Sequence, residues 1–294
     1  MFYLLMIMEK TAKLHPILAA SLILVVCQAL TLFIAFQVKY FLETTQIVPP
    51  QVSLKLPLIY FFAAVLLLGV VLFLIPVSKL RLVFRTLFTL LYSWGVFIAL
   101  VLSVPFYAAI AISVAGGLAW FFKPRIWLHN LLLIFALVGV GAVFGFLFSP
   151  WTFLAFMLVI SIYDIVAVRF GYMLWMAKKL SESEVLPAFI IPRKSSNWNL
   201  NLRGGGFRSV MESKSGEREF SILGGGDIGF PLMLAISVFS AYGFTDSLVV
   251  AAFSLFGLIS AYCIQLFFLK GKPMPALPPI FFVSFIGFLI IYLV

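Results

Sequence analysis

Residues 128–176 read LHNLLLIFALVGVGAVFGFLFSPWTFLAFMLVISIYDIVAVRFGYMLWM, and Asp164 and Arg169 are the only charged side chains in the stretch. A bilayer core takes about 20 apolar residues per helix. The stretch therefore holds two spans, Leu128–Phe148 and Pro150–Met176, joined tightly at Ser149-Pro150. Proline suits the first position of the second helix. The apolarity is continuous and does not alternate at period two, which predicts helices and excludes an outer-membrane barrel. Working outward, the same reading finds His15–Phe36, Leu56–Val77, Leu82–Val104 and Phe106–Phe122 before the pair. After it come Ile222–Phe244, Ser247–Phe268 and Pro275–Val294. The expected fold is all-α: a polytopic membrane protein with nine transmembrane helices. The first run is too long, and too far from the N-terminus, for a simple signal peptide, and no small-residue cleavage site follows it. It is expected to be a retained span.

Composition agrees. Of 294 residues, 64% are hydrophobic and 10% charged, whereas a soluble domain is nearer half and a quarter. A soluble globular enzyme, a disordered chain and a disulfide scaffold are all excluded. Cys27 and Cys263 lie inside apolar runs and read as small buried side chains. The net charge of +10 comes from 20 Lys and Arg against 10 Asp and Glu. In a soluble domain this would suggest nucleic acid, but no basic block interleaved with aromatics supports that partner. The cations sit instead at the ends of the runs. With nine spans, 17 of them fall on one side, Lys39 and Lys55 on the other, and Arg169 within the sixth span. The positive-inside rule then places the N-terminus and the loop 181–221 in the cytoplasm and the C-terminus outside, in the cell membrane. That loop divides the chain into a six-helix unit (residues 1–180), the loop itself, and a three-helix unit (residues 222–294). With Ser195-Ser196-Asn197 and Gly204-Gly205-Gly206 it reads as mobile, although the apolar Leu186–Pro192 within it can pair as a strand.

Chemistry narrows to two carboxylates. The chain has three aspartates, and Asp246 sits in a short loop. Asp164 and Asp227 lie in apolar surroundings, where a carboxylate costs several kcal/mol or stays protonated. Asp164 is five residues inside Arg169, and Asp227 is five residues inside Ile222. Each is thus about 7.5 Å deep if helical, on consecutive spans bordering the same loop. Two close carboxylates share a proton. One can take a proton from water while the other protonates a carbonyl oxygen, which is peptide hydrolysis without metal or cofactor. Gly224, Gly225 and Gly226 remove side chains just before Asp227, so that backbone or substrate can approach closely; helix packing would use such glycines too. Pro273-Met274-Pro275-Ala276-Leu277-Pro278-Pro279 cannot form a regular helix and leaves an extended segment on the same side. Tyr163 either hydrogen-bonds near the site or packs in the core. Arg169 is read as reaching the cytoplasmic interface, His15 and His129 as interfacial, and Gln28 and Gln265 as interhelical hydrogen-bond partners. No His, Cys and Glu constellation suggests a metal, and no Ser/His pair suggests a serine protease.

Tyr163-Asp164, Gly224-Gly225-Gly226-Asp227 and Pro275-Ala276-Leu277-Pro278 resemble, in order and spacing, the YD, GxGD and PAL motifs of the presenilin/signal peptide peptidase family. The orientation is similar to the presenilin branch, and the short sixth loop to its microbial, archaeal homologues. The resemblance implies an intramembrane aspartyl protease that cuts transmembrane helices in the bilayer. It implies Asp164 and Asp227 as the catalytic pair, with Pro275, Ala276 and Leu277 supporting the site and the substrate. No cofactor is implied and no accessory subunit is evident; a homo-oligomer is compatible with the sequence. An extended substrate would add a strand near Leu186–Ile191 and the Pro-rich stretch. The rival reading is an ion-coupled transporter, which also uses membrane carboxylates and broken helices; a third class is a helix-binding chaperone.

Overall fold

The structure, a computed structural model, describes residues 2–207, 219–269 and 274–293. Its helices are α1 (Phe2–Thr45), α2 (Lys55–Leu74), α3 (Val77–Leu100), α4 (Phe106–Phe122), α5 (Ile126–Leu147), α6 (Pro150–Arg169), α7 (Tyr172–Glu182), α8 (Gly225–Tyr242), α9 (Phe244–Cys263) and α10 (Leu277–Leu293). Two strands, β1 (Ala188–Pro192) and β2 (Phe220–Gly224), form an antiparallel pair. Among the described residues, seven helices are long and apolar enough to cross a membrane. The helices α4 and α10 are apolar but shorter, at 17 residues each.

The bundle is organised around α8, which packs against α1, α5, α6, α9 and α10. Its Leu232, Leu234, Ile236 and Val238 are fully buried. Small residues allow the close crossings, as membrane helices require in the absence of a hydrophobic drive between them. A Cβ on Gly145 of α5 would lie 2.4 Å from Cβ of Ile236, and one on Gly257 of α9 would lie 2.7 Å from Cα of Ile280. Gln28 of α1 ties to α9, donating from Nε2 to the Ala251 carbonyl at 3.0 Å and to Ser254 Oγ at 2.8 Å. The expected interhelical role of Gln28 is met. By contrast α2 buries only Leu72.

Several expectations need correction. The fold is not purely α, because β1 pairs with β2 in the register Ala188↔Gly224, Ile190↔Ile222 and Pro192↔Phe220. The run Ile222–Phe244 is therefore not one helix: its first three residues belong to β2. Pro150–Met176 is two helices, since Gly171 adopts φ 72° and stops α6 at the left-handed position that glycine favours. Nor are the described residues of the loop 181–221 loose. Leu186, Ile190, Leu202 and Phe207 are buried together with Ile126. The guanidinium groups of Arg85 and Arg203 both donate to the carbonyl of Phe121, in the last turn of α4 where cations are favoured. Apolar residues spaced among the polar ones gave that loop a core of its own. Residues 208–218, with Arg208, Lys214 and Arg218, and residues 270–273, with Lys270, Lys272 and Pro273, lie outside the described residues.

Candidate active site

Two helix N-termini hold the two aspartates. Gly224 is the N-cap of α8, with φ −58° and ψ 138°, so Asp227 is the third helical residue. At that position an acidic side chain reaches back to the N-cap N–H, the reciprocal half of a capping box. The Gly224 N–H donates to the Asp227 carboxyl accordingly. Asp227 is thus one turn into a helix that starts from a strand. The expected five residues of helical depth do not apply.

Asp164 lies in the last two turns of α6 and is 5% exposed. Its carboxyl accepts from the backbone N–H of Leu277, the first residue of α10. The sequence explains this contact. The first N–H groups of a helix have no partner within it. Pro278 and Pro279 have no N–H at all, so among residues 277–279 Leu277 alone can donate. Oδ1 of Asp164 is buried and has no hydrogen-bond partner among the described residues. The two carboxyls lie within electrostatic reach of each other. Both α6 and α8 pack against α10.

Asp227 opens onto a cavity of about 80 Å³ lined by Ile222, Leu223, Ala261, Tyr262, Met274 and Ala276, among others. This has room for more than one water, since a single water needs roughly 10–15 Å³ on this measure. Ala276 lines the same cavity as Asp227, and the N–H of Leu277 reaches Asp164, so residues 276–277 border the surroundings of both acids. The glycines do different things. A Cβ on Gly224 would lie 2.9 Å from Asp227 Oδ2, and one on Gly225 would lie 2.9 Å from the Pro187 carbonyl oxygen. One on Gly226 would meet only the edge of the Phe230 ring, at 3.3 Å. The Gly225 N–H also donates to Pro187 O at 2.9 Å, tying α8 to the end of β1.

Other expected residues fall differently. Tyr163 is half-buried and packs edge-on against Phe61 and Phe62 of α2, with ring centroids 5.7 and 5.8 Å away. Arg169 is exposed at the end of α6. His129, in the first turn of α5, is fully buried inside the protein, between Tyr92 Oη at 3.1 Å and the Ala188 carbonyl at 3.0 Å. Its neighbour Asn130 brackets the backbone of Ile190. Sequence reasoning passed over Asn130, and also Tyr262, whose hydroxyl bonds the Ser221 side chain on β2 within reach of Asp227. Polar residues inside apolar runs were the available signal for both. Among the described residues no three His, Cys, Asp or Glu side chains group as a metal site would require.

This arrangement corresponds to known proteins over almost its whole length. Residues 19–294 match the family described as signal-peptide peptidase, presenilin aspartyl protease. A presenilin family intramembrane aspartate protease, solved in two space groups, has a similar fold. One structure gives a TM-score of 0.62 at 20% identity, covering 95% of this chain and 100% of that one. The other gives 0.57 at 19% identity, covering 95% and 98%. At such identities the likeness concerns the fold. No curated protein matches the chain in sequence. With the family's profile met from the first described span to the last, the chain belongs to the signal-peptide peptidase and presenilin family of aspartyl proteases.

Proposed function

We propose that Asp164 and Asp227 are the catalytic pair of an intramembrane endopeptidase that hydrolyses peptide bonds within transmembrane helices. The observation that carries this reading is their joint anchorage. Each is held by a backbone N–H at a helix N-terminus, and the neighbouring residues Ala276 and Leu277 border both surroundings. On this reading the two acids meet around one shared proton, as paired carboxyls at close range do. The ionised member takes a proton from a water as the water oxygen attacks the peptide carbon. The protonated member gives its proton to the carbonyl oxygen. Collapse of the tetrahedral diol then breaks the C–N bond, and the amine leaves with a proton from the pair. No covalent enzyme intermediate forms, and the chemistry needs no metal.

A substrate helix hides its carbonyls in its own hydrogen bonds and must unwind before attack, so its freed backbone needs partners. The strand pair offers one edge. Ile190 turns its N–H and C=O to Asn130 and away from β2, so Ile190↔Ile222 is a non-hydrogen-bonded pair. By the same alternation Ile222 turns its N–H and C=O outward. The accepting edge is therefore that of β2, five residues before Asp227, rather than β1 as the sequence suggested. Nine spans fit this reading: α4 and α10, at 17 residues, reach about 25 Å, within the range that crosses a bilayer. The cation asymmetry favours a cytoplasmic N-terminus and strand pair, with division at 1–180, 181–221 and 222–294.

The test is cleavage of a transmembrane peptide by the purified chain in lipid. Asp164→Asn and Asp227→Asn should each lower turnover by at least about 10³-fold, as loss of a general acid or base does at the upper end. Both variants should remain folded. Cleavage at near wild-type rates by either one would remove it from the catalytic pair.

A further inference from the structure

The strand beside the aspartates is flanked on its far side by side chains rather than by a third strand. Asn130, in the first turns of α5, donates from Nδ2 to the Ile190 carbonyl at 2.7 Å and accepts the Ile190 N–H on Oδ1 at 3.0 Å. An amide side chain carries the donor and acceptor of a peptide group. Asn130 thus stands where a paired residue of a neighbouring strand would stand. His129 reaches the next outward carbonyl, that of Ala188, at 3.0 Å through Nε2. A carbonyl only accepts, so Nε2 carries the hydrogen. In a neutral ring Nδ1 then accepts from the Tyr92 hydroxyl, 3.1 Å away. Tyr92, His129 and Asn130 are all buried. Buried polar groups without partners cost several kcal/mol, so this triad holds β1 at one position along α5.

We propose that Asn130, supported by His129, is a positioning residue that sets the register in which a substrate strand meets the two aspartates. This rests on the catalytic reading above. The outer edge of β1 is closed by the two side chains, which leaves the β2 edge to receive a strand. Ile222 on that edge is 39% exposed. Asp164 is fixed by α6 and α10, and Asp227 by α8 and its N-cap Gly224, where β2 ends; β1 is fixed against α5 by Asn130 and against α8 by the bond from Gly225 N–H to Pro187 O. Removing the Asn130 bonds leaves the acids in place and lets β1, with residues 220–223 of β2 paired to it, shift relative to them about Gly224. A strand's register is specified only where something pins it, and a slip changes which residues face which side. The scissile bond then changes with it.

The experiment uses the full chain in liposomes with a transmembrane peptide, reading product masses as well as rates. Asn130→Leu keeps the branched shape and the number of heavy atoms and loses both bonds. Its products should spread over one or two residues on either side of the wild-type cut, with kcat lower on the order of tenfold. Asn130→Gln, which retains an amide, should narrow the spread again. Mere loss of stability would lower the active fraction and leave the cut positions alone. A wild-type product distribution from Asn130→Leu therefore overturns the proposal, whatever its rate. If that variant does not fold, Asn130→Ser, which can replace one of the two bonds, is read in the same way, and an unchanged distribution from it overturns the proposal equally. Asp164→Asn and Asp227→Asn in the same preparation separate the two ideas: cleavage by them fails the catalytic reading, while unchanged cut positions fail only this one.

Discussion

The three glycines before Asp227 offer a graded test, because an added methyl meets something different at each. At Gly225 the new Cβ would lie 2.9 Å from Pro187 O, and ordinary contact begins near 3.4 Å. Strand end and helix start must then part by about 0.5 Å, the tolerance within which catalytic groups have to be held. The bond from Gly225 N–H to Pro187 O is lost or stretched in the process, at about 1 kcal/mol. Since a misplacement of 1 Å can cost about a hundredfold in rate, Gly225→Ala should lower kcat roughly tenfold or more and also lower the melting temperature. At Gly224 the methyl meets Asp227 Oδ2 at 2.9 Å. The carboxyl can rotate away, which moves the proposed reacting group and gives up no more than its bond from the Gly224 N–H. Gly224→Ala should therefore lose activity with a smaller fall in melting temperature than Gly225→Ala, which also forces strand and helix apart. At Gly226 the contact is a ring edge at 3.3 Å, and the residue is exposed beside Asp227. Gly226→Ala should keep the melting temperature, and its effect should fall on KM, where the methyl meets the substrate. Thermal melts and steady-state cleavage of one transmembrane peptide decide the matter. Equal losses at all three positions, or a Gly224→Ala protein that melts below Gly225→Ala, would refute the assignment of these contacts.

Two further outcomes are expected from packing away from the acids. Gln28→Leu removes the bonds to Ala251 O and Ser254 Oγ; interhelical bonds of this kind in membranes average about 0.6 kcal/mol, so a small fall in melting temperature with unchanged kcat per folded molecule is expected. Gly145→Val would drive a side chain into Ile236 at the α5–α8 crossing, where even a Cβ approaches within 2.4 Å. Overpacking there costs about 1–3 kcal/mol or more, and size-exclusion profiles in detergent should show aggregated material in place of the wild-type peak.

Much of the architecture was legible in the chain because lipid imposes a severe rule. Every backbone group in the hydrocarbon must be paired within its own segment, so apolar runs of about 20 residues are helices. The same rule made Asp164 and Asp227 conspicuous, since a carboxylate is too costly there to be incidental. The pairing capacity of Leu186–Pro192 was visible in its apolar composition, and the break at Pro273–Pro279 in its prolines. The run Ile222–Phe244 misled for a specific reason: Ile222, Leu223 and the glycines fit a helix or a strand equally well by periodicity. The choice was made by β1, thirty-odd positions earlier in the chain.

What the sequence settled by itself was local: which segments are apolar helices, which two acids lie in apolar surroundings, and where helices cannot continue. What only the tertiary structure decided was partnership. The donor to Asp164 is the N–H of Leu277, over a hundred positions away. Asp227 is one turn into its helix because β2 pairs with β1, and β1 stays in place because Asn130 and His129 bond its backbone. Hydropathy and residue type record the cost of leaving lipid or water, which each segment bears alone. A hydrogen bond between distant segments depends on which helices lie side by side, and no single stretch of the chain carries that information.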